Sequence, residues 1–165
     1  MKLETLFATL GLSSTTGELI TLAVVLLIVS TAFWLLVGKF RLYNILIDIY
    51  ISLALLQVIL PVFPDFGKST PMIVFSVLMV LLILLDRYLF EIHISGSGMK
   101  IWEVCVISFL EVGLMTSIIL AYVAQKEVLK YLSAGSLEYL ISPWARVAWL
   151  AVPLVFIIII NKRSK

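Results

Sequence analysis

Between Ile20 and Val37 the chain reads ITLAVVLLIVSTAFWLLV, eighteen residues without one charged side chain. A helix rises about 1.5 Å per residue, so such a run comes close to covering the ~30 Å hydrocarbon core of a bilayer. As a surface helix it would lack a polar face. Comparable runs recur at 43–63, 72–91, 101–123 and 144–160, making five candidate spans with 20–37. Composition agrees, since 62% of the chain is hydrophobic and 13% charged, against roughly 25% charged in soluble domains. The expected fold class is all-α: a polytopic transmembrane helical bundle of about five spans with short interfacial amphipathic helices. Without a Ser/Gly-rich linker or an internal repeat, residues 1–165 read as a single transmembrane domain.

The span ends carry their own signals. Thr15 and Glu18 have capping-box spacing ahead of the first span, and PVFPDFGKSTP, with three prolines and a glycine, stops the second. The third is the anomaly. Met72 to Leu85 is 14 residues, roughly 21 Å of helix and too short to cross, so the helix is expected to continue into DRYLFEI. Pro153 lies inside the fifth span, where a kink is tolerated if neighbours satisfy the freed carbonyl. Leu3, Leu6, Phe7 and Leu10 give Met1–Leu12 the spacing of an interfacial helix. Lys126 to Ile141 reads as a surface-lying or re-entrant amphipathic stretch broken near Gly135.

Orientation follows from lysine and arginine in short loops. With the N-terminus outside, Lys39, Arg41, Arg87, Lys100, Lys162, Arg163 and Lys165 fall inside, seven in all, and Lys2, Lys68, Lys126, Lys130 and Arg146, five, fall outside. The expected location is the plasma (inner) membrane, multi-pass, with the C-terminus cytoplasmic. Tyr131, Tyr139 and Trp144 would form an outer aromatic belt with Trp149 somewhat deeper.

Within this frame four charged residues approach one level. Asp48 lies five residues past Tyr43, Asp86 and Arg87 are drawn inward by the short third span, and Glu111 lies roughly 10 to 15 Å into the fourth. A charge inside a span costs about 2.5 to 3.5 kcal/mol on insertion scales, so such groups face the bundle and find partners. The candidate intramembrane charge cluster is therefore Asp48, Asp86, Arg87 and Glu111, with Arg87 bridging Asp48 and Glu111. The competing reading has DR marking the end of a helix and Asp48 snorkelling to the interface. On the fourth span Gly113, Ser117 and Ala121 form a small-residue strip that admits close helix approach, while Ser108 and Glu111 occupy another face. That helix is expected to be central. On the second span Ile45, Asp48 and Ser52 share a face and Gln57 points away.

Other chemistry is sparse. His93 and Cys105 are the sole members of their types, so neither a metal centre nor a partnered nucleophile is expected, and no cofactor. Cys105 reads as a buried core thiol, His93 as a surface residue, and SGSGMK as a flexible turn without phosphate-loop spacing. A net charge of +2 without a basic stripe argues against nucleic acid.

The segment FWLLVGKFRLYNILIDIYISLAL, a span ending in glycine, a short basic turn and an immediate second span, resembles the opening of the colicin V production family of small bacterial inner-membrane proteins. The resemblance covers about 30 of the 165 residues, and the chain departs from that family in Asp48, in a fifth span and in lacking a second glycine after the basic pair. The resemblance implies a multi-span protein of secretion or envelope maintenance, with no catalytic residues to transfer. Two functions are carried forward. The first is a non-enzymatic scaffold or accessory subunit whose partners are the lipid bilayer and a second copy or another membrane protein. The alternative is a small transporter or channel subunit using Asp48 and Glu111 as ion or proton sites.

Overall fold

A computed structural model describes residues 14–39, 41–62, 70–89, 100–123, 128–129 and 134–163; the side chains of Ser14, Thr15, residues 86–89 and Ala134 lie outside the description. Six helices account for it: α1 (Ser14–Val37), α2 (Leu42–Val62), α3 (Thr70–Leu89), α4 (Ile101–Tyr122), α5 (Ala134–Ile141) and α6 (Pro143–Arg163). Among the described residues no strand occurs, so the all-α expectation holds. The proposed helix at Met1–Leu12, the turn around His93 and the belt residue Tyr131 lie outside the described residues.

Local chemistry sets the helix ends. α1 contains Ser14 and Thr15, so the helix starts earlier than Ile20 and Thr15 is inside it instead of capping it. At the other end Gly38 adopts φ +80°, and its N–H donates to the Trp34 carbonyl at 2.8 Å. That left-handed stop, open to glycine without a Cβ penalty, turns the chain into α2. α3 begins Thr70-Pro71, proline being harmless in a first turn whose amides have no helical acceptor. α6 opens with Pro143, and the Ser142 hydroxyl accepts from the Ala145 N–H at 3.2 Å. At the start of α4, Glu103 Oε2 accepts the Lys100 N–H at 2.9 Å. Gly135 lies in the first turn of α5, so from Ala134 to Ile141 the helix is continuous and the break expected near Gly135 does not occur within it.

α4 is the axis of the bundle, packing against all five other helices. Its span is 56% buried, against 11% for α1 and for α6. The clusters around it fix direction. Leu26 shares a cluster with Val112, whereas Phe33 and Val37, later in α1, pack with Val104 and Ile107, earlier in α4. The two helices are therefore antiparallel. Leu42 at the start of α2 joins Val104 and Ile107, and Leu56 later in α2 joins Leu114 and Ile118, so α2 and α4 run parallel. Helix α3 must then carry the chain back across the bundle, and Phe75 and Met79 seat it in the same core as α2. α6 returns antiparallel to α4, with Trp149 near Phe109 and Phe156 and Ile157 near Val104 and Ile107.

Five long helices thus traverse the bundle. Four of them, α1, α2, α4 and α6, are long and apolar enough to cross a membrane; the described apolar part of α3 is the shorter Thr70–Leu85. The outer faces of the bundle are apolar, as at Leu36 (87% exposed) and Val58 (68%), the pattern of helices solvated by lipid.

Candidate functional site within the bundle

Glu111 is the eleventh of the 22 residues of α4, the midpoint of the central helix, and is wholly buried. Asp48 is 2% exposed and Ser52, one turn further along α2, is fully buried. The packing register relates them. The offset that pairs Leu42 with Val104 and Ile107 carries Asp48 to the turn between Leu110 and Gly113, which holds Glu111. Asp48, being buried, faces the bundle instead of snorkelling outward.

Their surroundings differ. Asp48 takes part in a polar interaction. Among the described residues, neither Oε1 nor Oε2 of Glu111 has a hydrogen-bond partner, and neither does Ser52 Oγ. The other half of the expected cluster is described only as backbone. α3 does continue as helix through Asp86 and Arg87, as the short third span required, but their side chains lie outside the described residues, and with them the Arg87 bridge. Among the described residues no three His, Cys, Asp or Glu side chains converge to hold a metal.

Around Glu111 four other polar side chains tie helices together. Ser108 Oγ, one turn before Glu111, donates to the Ser30 carbonyl of α1 at 2.8 Å. Ser117 Oγ donates to the Leu140 carbonyl of α5 at 2.6 Å, and Tyr50 Oη of α2 to the Leu150 carbonyl of α6 at 2.6 Å. Trp149 Nε1 donates to the Tyr139 carbonyl at 3.3 Å, so one indole links α6 to α5. The six-membered ring of the same indole lies against Gly113. A Cβ there would meet three ring atoms, among them Cε3 at 2.8 Å and Cη2 at 2.5 Å. The small-residue strip therefore has a specific reason at Gly113, namely close approach of a tryptophan.

Several residues emerge that sequence reasoning missed or misplaced. Trp149, expected somewhat deeper than the aromatic belt, is half-buried and packs against Gly113, a contact the sequence did not signal, while Trp144 and Tyr139 are exposed as a belt requires. The i, i+4 step from Gly113 to Ser117 was the available clue that a large partner sits opposite. Ser30 and Tyr50 had no sequence signal beyond a polar atom in an apolar run. Glu103, buried at the start of α4, could have been found from its position three residues after Lys100. Cys105 is half-buried and unpaired, not the core thiol expected.

The fold and its interior define the class, a helical membrane bundle with a charged residue at its centre. Comparison of the chain with protein-family models, curated proteins and solved structures finds no match.

Proposed function

We propose that this chain is a non-enzymatic integral membrane protein that works as a scaffold or accessory subunit. The observation that carries the reading is the use of its interior hydroxyl and indole groups. Ser108, Ser117, Tyr50 and Trp149 each donate to a carbonyl of a different helix, so these groups hold the bundle together and are not left for chemistry. The envelope role implied by the resemblance to the colicin V production family agrees with this assignment. The exposed basic residues Lys39, Arg41, Lys100, Lys162 and Arg163 lie at one end of the bundle. By the positive-inside rule that end is cytoplasmic, with the N-terminus outside and the C-terminus inside the plasma membrane.

One observation favours a second reading. A carboxyl group buried at a helix midpoint with no hydrogen-bond partner among the described residues is the setting of an intramembrane proton or ion site. In that reading Glu111 and Asp48 belong to a transporter or channel subunit. Reconstitution separates the two. Under the scaffold reading purified protein in liposomes carries no proton or cation flux, in wild type, Glu111→Gln and Asp48→Asn alike. Wild-type flux lost in those variants at unchanged yield would establish the second reading.

A further inference from the structure

At the end of the bundle opposite the five exposed basic residues, α2, α4 and α6 leave a half-open cleft of about 130 Å³. Arg146, Gln57 and Tyr122 form its mouth, and Leu53, Leu114 and Leu150 form its floor. Tyr122 is the last residue of α4 and Arg146 the fourth of α6. Leu114 lies eight residues below Tyr122, so the cleft extends about 12 Å into the bundle at the helical rise. Polar groups are thus at the depth of lipid headgroups and apolar ones at the depth of acyl chains.

We propose that this cleft binds an anionic phospholipid, the phosphate on the Arg146 guanidinium and part of one acyl chain on the leucine floor. Three observations select that occupant. Arg146 is exposed at the cleft, and among the described residues no carboxylate pairs with it. Its planar fork suits a phosphate, with the Gln57 amide and the Tyr122 hydroxyl as further donors at the mouth. The volume is about four times the ~30 Å³ share of one water, room for a stretch of hydrocarbon chain but not for a helix about 10 Å across. Ser117 adds no competing donor, because its hydroxyl is already directed at the Leu140 carbonyl.

The test is native mass spectrometry of the full chain released from detergent and titrated with phosphatidylglycerol, phosphatidylcholine or inorganic phosphate. Wild type should retain one phosphatidylglycerol beyond its phosphatidylcholine count. Arg146→Gln should lose that one lipid, and Lys162→Gln, at the other end, should keep it. Leu53→Phe, which fills the floor while keeping the charge, should lose it too, so the outcome does not rest on a single variant. Equal retention of the two lipids by wild type, or an unchanged count in Arg146→Gln, would overturn the proposal. Displacement of the lipid by inorganic phosphate alone would reassign the site to a free anion and overturn the lipid assignment.

Discussion

Gly113 and Trp149 form a close junction between α4 and α6. Adding a methyl at Gly113 puts a carbon inside the indole's contact distance, so Gly113→Ala must displace Trp149 and with it the hydrogen bond to Tyr139. Overpacking of this kind costs about 1 to 3 kcal/mol. Gly113→Ala is therefore expected to lower the melting temperature of the detergent-purified protein, and Trp149→Ala to restore space for it. The double variant should be less destabilised than the sum of the singles, the signature of direct contact in a double-mutant cycle. Additive effects would separate the two residues. Glu111 is the other singular position. Its carboxyl has no hydrogen-bond partner among the described residues, so Glu111→Gln, which keeps the shape and cannot ionise, should leave melting unchanged or raise it. A loss above about 1 kcal/mol would mean that Glu111 holds a stabilising partner.

At the scale of the element, α4 organises everything else, and its hydroxyls show how. Ser108 reaches α1 and Ser117 reaches α5 from opposite halves of one helix. Interhelical hydrogen bonds in membranes average about 0.6 kcal/mol with a maximum near 1.7. Ser108→Ala and Ser117→Ala are each expected to fall in that range in a thermal or denaturant assay, and Tyr50→Phe, which frees the Leu150 carbonyl, to do the same. A loss of several kcal/mol from any of them would show that membrane solvation of these carbonyls is poorer than the general rule. The centrality of α4 was legible because small residues on one face and an acid on another leave little surface for lipid. The inward turn of Asp48 was legible from its shared face with Ile45 and Ser52. The location of Trp149 was not, because an interfacial and a packed tryptophan have the same local sequence and only a glycine on another helix distinguishes them. α3 was legible as an anomaly. Its apolar run is too short, and the structure resolves this by continuing the helix through Asp86 and Arg87 to Leu89.

For the whole molecule, parallel α2 and α4 with a returning α3 place the start of α1 and the end of α6 at opposite ends of the bundle. With Cys105 replaced by serine, single cysteines introduced at Glu18 and at Lys162 are expected to react with an impermeant maleimide from opposite faces of sealed vesicles. Labelling of both from one face would contradict a five-crossing chain. The proposed scaffold would act by its presence and its surfaces, whereas buried Glu111 and Asp48 are the features that favour the transport reading. Proton and cation flux through purified protein in liposomes decides between them most directly. A scaffold gives traces that match protein-free vesicles, in wild type and Glu111→Gln alike; flux in wild type that disappears in Glu111→Gln at equal reconstitution would contradict it.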